Sequence, residues 1–137
     1  MSNWRFLLLP ALLLALAAPP AEAAATRPKV LVDLREEGGF AGLKDRVTVY
    51  TDGCARFSRR TGPVVRRCLT RAELRGLRGA LGHLQVGGSE PQPQGADFLA
   101  YTLSYKGHRA TRYRLPETWQ PVVGRLEKAL TKYWKAG

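Results

Sequence analysis

Three clusters in this 137-residue chain hold side chains with reactive or ligand-binding potential. The first is the run Glu36-Glu37-Gly38-Gly39-Phe40-Ala41-Gly42-Leu43-Lys44, where two carboxylates precede two bulky apolar side chains among three glycines. Glycine reaches left-handed and sharply bent backbone, so the run reads as a loop. Such a loop either presents Phe40 or Leu43 to a partner or folds them inward to seal one end of the core. The second group is basic: Arg56, Arg59, Arg60, Arg66, Arg67, Arg71, Arg75 and Arg78 accompany a single acid, Glu73. Guanidinium groups grip phosphate or sulfate bidentately, although the solvated side of any arginine-rich protein has the same composition. The third group is the pair Cys54 and Cys68, the only cysteines.

Other chemistries have little support. His83 and His108 stand outside any metal-ligand spacing such as HExxH, so no metal site is expected. No GxSxG elbow and no phosphate-cradling Gly loop ending in Lys-Ser or Lys-Thr is present. Asp33, Glu36 and Glu37 have the side chains for acid and base work on sugars, but a short chain with few acids offers no evident cleft for it. A non-enzymatic protein without a cofactor is expected.

Periodicity gives the strands and helices on which these clusters sit. Lys29 to Leu34 and Arg46 to Thr51 alternate apolar and polar residues and read as strands. Thr51-Asp52-Gly53 signals a three-residue hairpin turn in which Val47 and Val49 share a face with Phe57 and Ala55. A second turn at Thr61-Gly62-Pro63 returns Val64 to Cys68 along Cys54 to Arg60, setting the two cysteines opposite each other and within bridging reach. A structural disulfide is favoured over a redox or metal role, since CxxC spacing and nearby histidines are lacking.

Thr70 and Glu73 form a capping-box signature, with Leu69 placed to staple against Leu74. The following helix has the stripe Leu74, Leu77, Leu81 and Leu84, with Arg71, Arg75 and Arg78 on the opposite face, and is expected to run to Gly87-Gly88. The polar stretch Ser89 to Gly95 is expected to connect without packing. Phe98 to Tyr105 and Arg109 to Leu115 form another hairpin around Lys106-Gly107. A three-residue turn is favoured there because it would group Leu99, Tyr101 and Leu103 with Tyr113 and Leu115. A closing helix spans about Trp119 to Trp134. The expected class is α+β, an antiparallel sheet with two helices on one face in the order β, β, β, β, α, β, β, α.

Residues 1–23 read as a secretory signal peptide, with Arg5, an apolar run from Phe6 to Ala18, and small residues around Ala21 to Ala25. The run is shorter than the ~20 residues of a membrane span, so residues 24–137 are expected to be one exported domain without such a span. Its formal charge of +11 is unchanged by cleavage, because Arg5 and Glu22 leave together. Such a charge draws acidic surfaces or polyanions as partners, although arginine, alanine and glycine are also enriched under a GC-rich codon bias.

The Gly-Gly-Phe-Ala-Gly run resembles the emfourin family of small protealysin inhibitors. It is joined in that resemblance by Ala96-Asp97-Phe98-Leu99-Ala100-Tyr101-Thr102-Leu103, by Tyr113-Arg114-Leu115-Pro116-Glu117, and by Val122, Val123, Leu126 and Leu130. The resemblance implies a protein that blocks extracellular thermolysin-like zinc metalloproteases by binding intact. Those enzymes prefer a bulky apolar side chain after the scissile bond, so the contact loop would be Glu36 to Leu43, with Phe40 or Leu43 entering the pocket. Glu36 or Glu37 would approach the catalytic zinc. The strong positive charge and the cysteine pair depart from the family's usual pattern. Binding of acidic surfaces or polyanions is the alternative function.

Overall fold

The computed structural model describes residues 27–95 and 97–135, so the expected signal peptide at 1–23 lies outside the described residues. Alternating apolar residues form β1 (Val30–Gly38), β2 (Leu43–Tyr50) and β3 (Cys54–Ser58), and the short β4 (Val65–Cys68) pairs along β3 without a buried residue of its own. These are followed by α1 (Arg71–Gly82), β5 (Leu99–Tyr105), β6 (His108–Arg112) and α2 (Gln120–Tyr133). The six strands make one antiparallel sheet in the order β4-β3-β2-β1-β5-β6. Val32, Leu34, Val47, Val49, Ala55, Phe57, Leu103 and Ala110 line one face of it. Leu77 and Leu81 of α1 and Val122, Val123, Leu126, Ala129 and Leu130 of α2 cover that face. The architecture is the α+β order expected from the sequence.

The β2–β3 register is the expected one, with Val47 opposite Phe57 and Val49 opposite Ala55. Cys54 lies opposite Cys68 and the two are joined by a disulfide. The bridge ties four-residue β4 to the sheet edge. Reduction, or combined Cys54→Ser and Cys68→Ser replacement, is expected to lower stability by about 2 kcal/mol in urea unfolding. The chain-entropy figure for a loop of this size is ~3 kcal/mol, and detachment of an edge strand releases part of it. An unchanged midpoint would mean that backbone pairing alone holds β4.

The helices cap and dock as their sequences direct. The Thr70 hydroxyl accepts from the Glu73 N–H at 3.1 Å, and the Glu73 carboxylate accepts from the Thr70 N–H at 2.9 Å, completing the capping box. Glu73 also accepts from the Tyr133 hydroxyl and from Lys132 at 3.4 Å, which joins the start of α1 to the end of α2. Burial alone would raise the Glu73 carboxyl, but hydrogen bonds from Tyr133, Thr70 and Lys132 outweigh it and hold it at about 2. Trp119 is fully buried at the start of α2, and its indole N–H donates to the carbonyls of Gln85 and Val86. A buried indole needs such an acceptor.

Four local expectations are corrected. The segment Glu36 to Lys44 is mostly strand, and only Gly39 to Gly42 lie between β1 and β2. Helix α1 stops at Gly82 with His83 as C-cap, because Val86 must enter the core and Gln85 and Val86 must face the Trp119 indole. Ser89 and Glu90 pack along β6: Thr111 N–H donates to Ser89 Oγ, Glu90 N–H to the Thr111 carbonyl, and Tyr113 N–H to the Glu90 carboxylate. They thereby satisfy an edge that would otherwise be unpaired.

The β5–β6 turn has two residues, not three. Tyr105 pairs with His108, Leu103 with Ala110 and Tyr101 with Arg112. Lys106 and Gly107 both take positive φ, 49° and 75°, a primed turn whose twist matches the strands. That match outweighs the larger apolar grouping of the other register, and Ala110 alone fills the buried place opposite Leu103.

Candidate protein-contact site at the hairpin tip

The β1–β2 hairpin narrows to a four-residue tip closed by the Gly38–Leu43 pair. Gly42 N–H donates to the Gly39 carbonyl at 3.0 Å, placing Phe40 and Ala41 at the two central positions of a tight turn. Gly38, Gly39 and Gly42 have φ of 100°, 73° and 55°, values that L side chains rarely adopt. Gly38 is required for a second reason. A Cβ there would lie 2.6 Å from the Phe98 carbonyl oxygen, and the neighbouring Gly39 N–H donates to that same oxygen at 3.3 Å. The tip is therefore attached both to its own hairpin and to the start of β5.

Phe40 is 94% exposed, the most exposed large apolar side chain among the described residues. Ala41 is exposed beside it, and Leu43 is partly buried at the start of β2. Phe98, 42% exposed, lies at the same end of the sheet through its backbone link to Gly39. In the sequence Phe98 opens a strand and belongs to the Ala96 to Leu103 segment of the family resemblance, with no contact role. The signal was present: Phe98 and Leu99 are adjacent apolar residues, so alternation required one of them to leave the core face. An exposed aromatic pair at one end of a small domain is a feature of contact surfaces.

Of the two carboxylates assigned to the contact loop, only Glu37 is available there. Glu36 follows Val32 and Leu34 on the core face of β1 and is 6% exposed, so its approach to a partner's zinc is ruled out by its direction. Its cross-strand neighbours are Asp45 on β2 and Tyr101 on β5. Glu127 of α2 and Arg59 also face it, and one of its oxygens has no hydrogen-bond partner. Burial, a hydrogen bond to Glu127 and the repulsion of Glu127 and Asp45 push the Glu36 carboxyl up to about 8, against a smaller opposing pull from Arg59. Burial and the same two glutamates raise the Tyr101 phenol as well. Beneath the tip, then, lies a proton-holding carboxyl cluster. Among the described residues no group of three or more His, Cys, Asp or Glu side chains has metal-binding geometry.

The eight arginines of the sequence cluster do not form one patch. Arg71, Arg75 and Arg78 are exposed on α1, on the helix-covered side of the sheet. Arg59 is drawn over the Trp134 ring, 5.4 Å from its centroid, and lies 3.9 Å from Asp45. Arg60 donates to the Gly42 carbonyl at 3.4 Å, so it braces the hairpin tip. Arg67 opposes Ala55. Only Arg56 and Arg66 share the sheet face that carries no helix, where they are directly opposed. His83 and His108 are both exposed, at the end of α1 and the start of β6. Set against known proteins, the chain matches no protein-family model, no curated protein and no solved structure.

Proposed function

We propose that this chain is an exported protein inhibitor of thermolysin-like zinc metalloproteases, acting by insertion of Phe40 at the β1–β2 hairpin tip. The observation that supports it is a 94% exposed phenylalanine on a turn whose backbone is set by three left-handed glycines and by the hydrogen bond to Phe98. A turn backbone held this way loses little freedom on binding, so more of the energy of burying Phe40 appears as affinity. A protease pocket that accepts bulky apolar groups offers the complementary cavity. Phe98 and Ala41 extend the apolar contact, and exposed Glu37 is the carboxylate nearest the tip by sequence. Inhibition by this route requires no catalytic group on the inhibitor: occupation of the pocket by an uncleaved, tight turn suffices.

The direct test is peptide cleavage by several thermolysin-like proteases at near-physiological salt with the purified protein added. Stoichiometric, saturable loss of activity is expected with at least one of them. Full activity across the panel at micromolar inhibitor would discard the reading.

A further inference from the structure

The helix-free face of the sheet carries a band of arginines that the inhibitor reading does not use. Arg35 and Arg46 are partners across β1 and β2, and Arg56 and Arg66 are partners across β3 and β4. Thr48 pairs with both Asp33 and Arg56, which fixes all of these side chains on one face. Four consecutive strands thus each present one guanidinium, with Arg109 on the same face and Lys44 there directly opposite Glu37.

The two pairs are in different electrostatic states. Asp33 accepts from Arg46 Nε at 2.9 Å and from the Thr48 hydroxyl at 2.6 Å, and lies 3.6 Å from Arg35 Nε, so its charge is committed to the first pair. Arg56 and Arg66 have no carboxylate within salt-bridge distance among the described residues. Like charges set directly opposite on adjacent strands destabilise a sheet. A groove of about 260 Å³ runs beside Arg56 and Arg46, lined also by Tyr50, Ser58 and the exposed Val30 and Val64, and Arg66 stands at the adjoining strand outside it.

The geometry points to this face as a binding site for a linear phosphate polymer lying across β2, β3 and β4. Adjacent strands are about 4.8 Å apart, so Arg46, Arg56 and Arg66 on three neighbouring strands spread positive charge over roughly 10 Å of the face, more than one small ion covers. Guanidinium groups take phosphate oxygens bidentately. Tyr50 is the lone aromatic of the groove, which is too few to stack successive bases as a single-strand nucleic-acid binder does. The surface is broad and extends over several strands, as a polymer requires.

The test is fluorescence anisotropy with labelled long-chain inorganic polyphosphate across a salt series. Arg56→Gln with Arg66→Gln is expected to weaken binding about tenfold and to flatten the dependence of log affinity on log salt by about 2. Arg71→Gln with Arg75→Gln removes the same charge from α1 and is expected to change affinity less than about twofold. Equal losses in the two double variants would reduce the effect to net charge and overturn the site. If the first double variant unfolds, Arg56→Lys with Arg66→Lys keeps the charge and loses the bidentate fork. Retained full affinity in that variant would overturn the site, and a several-fold loss would support it. Tighter binding of oligo-dT, of a sulfated polysaccharide or of anionic lipid vesicles than of polyphosphate would overturn the assignment of the occupant. Protease inhibition by the Arg56/Arg66 variant separates this site from the hairpin tip, since unchanged inhibition is expected.

Discussion

Phe40→Ala is expected to weaken inhibition of a thermolysin-like protease by roughly 100-fold, equivalent to about 3 kcal/mol, while leaving the protein as stable as before. Two features of the tip set the size of this effect. A central aromatic anchor seated in a desolvated pocket carries a disproportionate share of binding energy. The same side chain contributes almost nothing to folding, because at 94% exposure it gives up no core contacts when truncated. Inhibition constants and thermal midpoints of the same preparations therefore separate the two roles. Phe98→Ala is expected to follow with a smaller loss, as a flanking contact already 58% covered by its own chain. Leu43→Ala is less informative, since Leu43 is partly buried in β2 and its removal touches the hairpin itself. If Phe40→Ala inhibits as well as the parent protein, Phe40 is not the inserted residue and the contact lies elsewhere.

Raising the pH from 5 to 9 is expected to destabilise the fold by a few kcal/mol through Glu36. The sign follows from the carboxyl's two states. In the unfolded chain it ionises near its ordinary 4.5, whereas in the native protein burial, Glu127 and Asp45 hold it protonated up to about 8. Between those values the unfolded chain binds fewer protons, so stability falls as pH rises through this window and levels off above about 8. Each unit of separation corresponds to about 1.4 kcal/mol, and relaxation of the surrounding groups brings the total below the full linkage sum. Glu36→Gln keeps the shape and removes the ionisation. Urea unfolding across this range is expected to show a much flatter pH profile for Glu36→Gln and a higher midpoint above pH 8. Parallel profiles for the two proteins would remove Glu36 as the source. The Glu73 carboxyl acts in the opposite direction: held at about 2, it contributes stability above pH 4.5 that is lost as pH falls toward 2. The two carboxyls therefore narrow the range of greatest stability from opposite sides.

Where local chemistry and burial agreed, the sequence was a sufficient guide. The Thr51-Asp52-Gly53 turn, the Val47–Phe57 register and the opposition of Cys54 and Cys68 all rest on contacts between residues close in the chain. The capping box at Thr70 and Glu73 is likewise contained in four residues. The fold departs from the sequence expectation where two local signals compete. Three glycines suggested a long loop after Leu34, yet alternation continues through Glu36 and the glycines are spent on a turn only four residues long. At Lys106-Gly107 the grouping of large apolar residues argued for one register, and turn geometry selected the other. The arginine cluster was legible as composition alone. Neighbours in sequence alternate between faces on a strand, so Arg66 and Arg67 part company, while Arg35 and Arg46 join Arg56 and Arg66 only through the sheet.

The class and order of elements, the disulfide partners and the glycine-built tip are readable from the chain alone, because periodicity, capping and turn chemistry act over a few residues. Long-range packing sets Phe40 in solvent while Glu36, four residues earlier, is buried against Asp45, Tyr101 and Glu127. It alone assembled the four-strand arginine band. Both outcomes depend on which distant strands and helices share a face, and that pairing is set by the simultaneous burial of the whole core, which no short window of sequence contains.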